Sequence, residues 1–237
     1  MSRKRPSMRI VLITILVFGF AGAIYLNHKR SRLRAAMTQL QKQVGAWEVG
    51  DKSKVVIAHI PVAEDAVPPG VDNAYVWQYR LHLPANYATC YDSTSGLVKA
   101  DRPGGQSRGS SSSGPLKEPE QSLVTMALIE TDGQWKYCTH LGGSSSVSNM
   151  PADFSIESLD DFVVEPVVNE NEIRVFDADE AICLFRLREK VQATDETGKT
   201  KNELYRGCAF YLFSQERKAD FNAWARGQRK SMEATQP

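Results

Sequence analysis

Residues 122–140 read SLVTMALIETDGQWKYCTH, and this stretch is the strongest indication of the fold. Residues 123–131 and 135–140 are rich in strand-forming side chains and flank the pair Asp132-Gly133. An Asp-Gly pair between two such runs favours the type I′ turn, which joins antiparallel strands directly. The stretch therefore predicts a β-hairpin.

Similar patterns lie on both sides of this hairpin. Short apolar or alternating runs predict further strands at residues 55–60, 75–83, 162–168 and 172–176. A second hairpin is predicted between residues 181–191 and 204–214, with its loop near residues 195–198.

The end of the chain has a different pattern. In residues 216–232, Phe221, Trp224 and Ala225 form one apolar stripe among basic side chains, which predicts an amphipathic helix over one face or edge of the sheet. Strands do not alternate with helices, which argues against Rossmann and TIM-barrel folds. We therefore expect an α+β or mainly β fold: an antiparallel, hairpin-rich domain over residues 51–237, closed by a C-terminal helix.

Residues 92–121 interrupt the strand patterns. Their centre, residues 102–115, reads RPGGQSRGSSSSGP and offers almost no apolar side chain to bury. Such a composition predicts a disordered surface loop within the domain. The alternative is a binding loop or a modification site.

The N-terminal region predicts attachment to a membrane. A basic tail, residues 1–9, precedes IVLITILVFGFAGAIYL at residues 10–26, which contains no charged side chain. As a helix this run spans about 26 Å, so flanking interfacial residues must complete a transmembrane anchor. The alternative is a cleaved signal peptide, because Ala21-Gly22-Ala23 resembles a cleavage site. The apolar residues 24–26 continue beyond that site and favour retention.

The orientation of the anchor rests on its basic flanks. Lys and Arg are nearly balanced on its two sides, but a short basic tail before an apolar run favours a cytoplasmic N-terminus. We therefore expect a single-pass membrane protein that has the lipid bilayer as one partner and an extracytoplasmic soluble domain. A cytoplasmic domain is the alternative.

Residues 27–50 predict a helical stalk after the anchor. Leu33, Met37, Leu40, Val44 and Trp47 are spaced 4, 3, 4 and 3 apart, as in a coiled-coil seam. The seam predicts self-association or pairing with another membrane protein. In the alternative, a juxtamembrane helix packs this stripe on the domain or lies in the membrane interface.

The pairing of the four cysteines is predicted from the hairpin pattern and from the expected compartment. None has C-x-x-C spacing, which argues against a zinc ribbon or a thioredoxin-like motif. Pairing about a turn near residues 195–198 would place Cys183 opposite Cys208, so an oxidising compartment favours a disulfide there. Cys90 and Cys138 would then be the other possible pair, although four cysteines allow three connectivities. The alternative is that all four are small buried hydrophobic side chains.

The composition and the absence of known motifs narrow the range of possible functions. Lys plus Arg (29) nearly equals Asp plus Glu (28), which argues against a nucleic-acid partner. The sequence lacks G-x-S-x-G, H-E-x-x-H, Walker A and G-x-G-x-x-G motifs, so we predict no catalytic residue, metal or cofactor. The first hypothesis is therefore a membrane-tethered interaction or accessory protein, which has a protein partner.

Two alternative functions remain. A ligand-binding or sensory domain would use Trp77, Tyr79 and Trp135 to line a pocket. An envelope hydrolase would use His140 with a nearby Ser or Cys. Residues 142–146, GGSSS, follow this histidine and are typical of a flexible loop rather than a nucleophile elbow.

Overall fold

The computed structural model describes residue 29 and residues 49–62, 71–141, 144–170, 172–194, 200 and 203–231. The predicted tail, the anchor and nearly all of the stalk, including its seam, lie outside these residues. Among the described residues, no helix combines the length and the apolar character needed to cross a bilayer.

The described residues contain eleven strands in two antiparallel sheets. The strands are β1 (Val55–Ile60), β2 (Asn73–Leu83), β3 (Ala88–Lys99), β4 (Gly105–Pro115), β5 (Glu120–Thr131), β6 (Gln134–Leu141), β7 (Ser144–Asn149), β8 (Phe162–Pro166), β9 (Ile173–Phe176), β10 (Ile182–Glu189) and β11 (Leu204–Ser214). A six-stranded sheet has the order β7-β6-β5-β2-β1-β9, and a five-stranded sheet has the order β4-β3-β11-β10-β8.

The main core lies between the two sheets. Tyr79 and Leu81 of the six-stranded sheet share one buried cluster with Cys208, Phe210 and Leu212 of the five-stranded sheet. These residues alternate along their strands, as expected when each sheet turns one face to the other. Strands make up 58% of the described residues, so the fold is mainly β.

Both predicted hairpins are confirmed. In β5–β6, Thr131 pairs with Gln134 around Asp132 and Gly133, which both have positive φ values (53° and 68°). Positive φ at both central residues is the signature of a type I′ turn. In the second hairpin, β10 pairs antiparallel with β11 along most of its length.

The C-terminal helix is shorter than predicted but covers a sheet face as expected. A 3₁₀ turn (Gln215–Arg217) leads into α1 (Lys218–Ala225). Phe221 stacks on Phe213 of β11, with 3.9 Å between ring centroids. Gly227 has a φ of 76° and donates its backbone N–H to the Trp224 carbonyl, an arrangement that ends a helix. A second, smaller core therefore lies on the outer face of the five-stranded sheet.

The prediction of a disordered loop at residues 92–121 is wrong. This segment holds most of β3, all of β4 and the start of β5. β3 pairs with β11 from Thr89 to Lys99, so its backbone groups have partners despite its polar sequence. Its buried side chains include Asp92 and Thr94, which an apolar pattern cannot reveal.

Candidate binding groove between two edge strands

The most distinctive surface of the domain lies where the two sheets remain open to each other. β4 is an edge of the five-stranded sheet, and β7 is an edge of the six-stranded sheet. The space between them forms a cavity of about 240 Å³, which we call the serine groove. It is lined by Tyr91, Ser93, Gly109, Ser110, Ser111, Thr139, Leu141, Ser144, Ser145, Ser146 and Phe210.

The floor of the groove is aromatic and its walls carry hydroxyl groups. Tyr91 and Phe210 stack with nearly parallel rings, 7° apart, and 5.7 Å between centroids. A neighbouring cavity shares Tyr91, Ser111 and Leu141 with the groove and extends it toward Ser113 and Ser122. The groove therefore offers a run of small hydroxyl groups, which suits polar contacts with a narrow, extended ligand.

β4 forms one rim of the groove and is an unusually bare edge strand. All eleven of its residues are exposed, and Arg108 is its only charged residue. Natural sheets usually protect their edges with charged side chains, proline, bulges or a covering element. In β4 the proline, Pro115, lies at the very end, and irregularities in the pairing with β3 lie between Ser112 and Pro115 and between Gly105 and Ser107. The pairing is continuous from Ser107 to Ser112. The central part of the edge is thus open to a further strand.

A partly buried ion pair fixes β4 to the rest of the domain. Arg108 Nε donates to Asp92 Oδ2 at 2.5 Å, and its Nη2 donates to Asn222 Oδ1 of α1 at 3.0 Å. The guanidinium also lies over the ring of Phe221. The side chain of Asp92 has no exposed surface, and burial raises its pKa to about 6, although Arg108 opposes the shift. The Arg108 side chain is therefore held against Asp92 and α1 and does not shield the open edge of β4.

The turn between β3 and β4 depends on glycine. A Cβ atom at position 105 would lie 1.8 Å from the carbonyl oxygen of Leu97, a distance that no side chain tolerates. Gly104 has a φ of 108°, in the region that favours glycine. The glycines that indicated disorder in the sequence instead allow the chain to return tightly along β3.

The structure brings His140 next to a serine. His140 Nδ1 lies 2.9 Å from Ser145 Oγ, because the two residues are directly opposite each other in the β6–β7 pair. Both residues are exposed, and Ser145 lines the groove. The serine-rich residues after His140 were expected to form a flexible loop. Residues 144–149 instead form β7. The contact between His140 and Ser145 could not be predicted without knowing that this strand exists.

The two predicted cysteine pairs do not meet. Cys208 is opposite Leu187, four residues from Cys183, and Cys183 is opposite Tyr211, three residues from Cys208. The two cysteines also face different sides, since Cys208 lies in the core between the sheets and Cys183 packs against the cluster under α1. A disulfide needs neighbouring Cβ atoms on one face.

Cys90 and Cys138 are also apart. Cys90 lies on β3 within the cluster under α1, whereas Cys138 lies on β6 of the other sheet. None of the four cysteines forms a disulfide in this structure. Burial raises the pKa of each thiol, that of Cys183 to about 11, so the reactive thiolate is scarce at neutral pH.

The three aromatic residues expected to line a ligand pocket belong to the core. Tyr79 and Trp135 are almost fully buried. Trp77 packs on Phe185 of the opposite sheet at a centroid distance of 4.2 Å. The groove is instead floored by Tyr91 and Phe210, which lie on β3 and β11. Period-two alternation marks both kinds of position equally, so it could not separate groove residues from core residues.

No protein-family model, no curated protein and no solved structure matches this chain. Its strands define it as a mainly β domain of two facing antiparallel sheets.

Proposed function

We propose that this chain is a membrane-tethered interaction or accessory protein, with an extracytoplasmic domain that binds a protein partner at the serine groove. The observation that carries the proposal is the bare edge of β4. A strand edge presents a row of unpaired backbone N–H and C=O groups, and the natural complement of such a row is another extended strand.

The chemistry of the groove supports a polypeptide as the partner. Backbone hydrogen bonds along β4 would supply affinity without regard to sequence, while the groove floor would contact alternate side chains of the added strand. Ser110, Ser111 and Ser146 leave room beside the backbone because their side chains are small. An apolar N-terminal segment without charge supports the tether, as described above.

Site-specific photo-crosslinking in intact cells tests the binding surface. A photoreactive residue at Ser111 should give adducts of discrete mass, because this position lies in the groove. The matched control is Val175 on β9, which is also an exposed residue of an edge strand. β9 and β7 are opposite edges of the six-stranded sheet, so Val175 lies far from the rim that β7 forms. Equal adduct patterns from the two positions, or none from Ser111, would contradict the proposal.

Labelling of an introduced cysteine tests the side of the membrane. Val147→Cys places a thiol at a position that is 63% exposed, whereas the native thiols are poorly reactive. A membrane-impermeant maleimide should label this variant in intact cells, and mass spectrometry should find residues 1–26 retained. Labelling only after permeabilisation would place the domain in the cytoplasm, and loss of residues 1–23 would replace the anchor with a signal peptide.

A second candidate function is hydrolysis of an ester or amide by Ser145. It is favoured by one observation, the 2.9 Å contact with His140, which could accept the serine proton as a general base. A fluorophosphonate probe should then label Ser145, and both Ser145→Ala and His140→Ala should lose the label while Ser146→Ala keeps it. Unchanged labelling of Ser145→Ala would refute this activity.

A further inference from the structure

As a single edge strand, β4 is held by its pairing with β3 and by the contacts of one side chain, Arg108. Its sequence, GQSRGSSSSGP, is mostly Gly and Ser, which are among the poorer strand formers, and none of its side chains is buried. Fixing glycine in a strand also costs more backbone entropy than fixing any other residue. Its hydrogen-bonded neighbour is β3, on one side. A second strand on its open side would add backbone hydrogen bonds along the edge.

A second copy of β4 meets the requirements of such a strand. In an antiparallel pair related by a two-fold axis, each residue faces a residue equally far from the axis on the other side. An axis at the strand midpoint, Ser110, places Arg108 opposite Ser112 of the second copy. The only charges in the strand therefore avoid each other, and like charges in direct opposition would be unfavourable.

The side chains around this axis also fit close pairing. Ser110 would face its own copy, and Gly109 would face Ser111, so only small groups meet at the centre. Pro115 would face Gly105 of the second copy at the very end of the pair, and strands tolerate proline at an edge or a terminus. A two-fold axis is the commonest symmetry of soluble oligomers because it closes the assembly.

From these observations we propose that two copies of this chain pair through β4, antiparallel and centred on Ser110, so that their five-stranded sheets join into one continuous sheet. The inference rests on the proposed function, since it names the partner of the same edge. It differs from association through the stalk, because it fixes which residues of the domain face each other.

Cysteine crosslinking of the full chain in its membrane tests the register. Ser110→Cys should form an intermolecular disulfide on mild oxidation, because the two thiols would face each other at the axis. Gln106→Cys alone should not, since an offset of eight residues separates it from its copy by about 27 Å at a rise of ~3.4 Å per residue.

The outcomes separate this inference from the proposed function. No crosslink at Ser110→Cys, or equal crosslinking of Gln106→Cys alone, overturns the paired β4 strands. Adducts from Ser111 that contain another protein, without self-crosslinking, overturn the dimer but leave the interaction surface standing. Absence of both kinds of product removes both. A Ser110→Cys variant that keeps the wild-type far-UV circular dichroism shows that the result does not arise from misfolding.

Discussion

The β5–β6 hairpin and the β3–β4 hairpin have the same backbone plan but are held together differently. In β5–β6, alternate side chains such as Met126, Leu128 and Trp135 are buried between the sheets. In β3–β4, the outer strand buries no side chain and is held by backbone pairing and the Arg108–Asp92 ion pair. The first hairpin is therefore stabilised by apolar burial, whereas the second depends on polar interactions and on a neighbouring strand.

We call β5–β6 the apolar hairpin and β3–β4 the polar hairpin. The largest effect is expected from truncating a buried side chain in the apolar hairpin. Trp135 is 2% exposed and lies between the rings of Tyr75 and Phe154. Trp135→Ala should lower the free energy of unfolding by about 3–5 kcal/mol, because it removes buried surface and leaves a cavity. Urea unfolding followed by circular dichroism measures the change. The matched control, Ser110→Ala in β4, should stay within about 0.5 kcal/mol; a larger loss there than at Trp135 would reverse the comparison.

The next largest effect is a pH dependence of the free energy of unfolding, and it arises from Asp92 in the polar hairpin. Burial raises the pKa of Asp92 from 3.8 to about 6, so the folded state holds this proton more tightly than the unfolded chain. The contribution to stability is complete below about pH 4 and is lost as the pH rises through about 6. Asp92→Asn removes this titration. The wild type should therefore lose about 3 kcal/mol relative to the variant between those pH values, as an order of magnitude.

Unfolding free energies of the wild type and Asp92→Asn at about pH 3.5 and pH 7 make this measurement. The difference between the two proteins should favour the wild type more strongly at the lower pH. A difference that is independent of pH would show that Asp92 is not desolvated as its burial indicates. Asp132→Asn provides a control, because Asp132 lies in the exposed turn of the apolar hairpin.

The two hairpins also explain which parts of the fold could be predicted. β5 and β6 were recognisable because apolar residues alternate on either side of Asp132-Gly133. β3 and β4 were not, because Asp92 and Thr94 occupy buried positions and Ser and Gly fill the exposed ones. Sequence patterns report burial through apolar side chains, and they do not register a strand that is held by its backbone and one ion pair.

The candidate groove was unpredictable for the same reason. Its rims are β4 and β7, and both were expected to be loops. The cysteine pairs failed for a different reason: hairpin register depends on where the turn closes, and Cys208 lies opposite Leu187 instead of Cys183. An irregularity in the register between Cys183 and Phe185 also turns Cys183 to the face opposite that of Phe185 and Leu187, and the sequence pattern does not reveal it.

A smaller effect is expected at the turn of the apolar hairpin. Gly133 has a φ of 68°, and an alanine there would adopt a left-handed conformation at a cost of about 1–2 kcal/mol. Gly133→Ala should lower the free energy of unfolding by that amount in the same urea assay. Gly109→Ala in β4 is the matched control, because a Cβ there meets no atom within 4 Å. Equal losses at both positions would mean that the turn does not require glycine.

The smallest effect should come from strengthening the polar hairpin. If weak strand propensity limits β4, a β-branched side chain at Ser112 should help, since threonine favours strands more than serine does. Ser112→Thr should slow hydrogen exchange of the β4 amides about two-fold, equivalent to ~0.4 kcal/mol of local stability. The same change at Ser122, at the start of β5, should leave those amides unaffected. Faster exchange in Ser112→Thr would mean that the small size of serine, which the pairing of two β4 strands also requires, matters more at this edge than propensity.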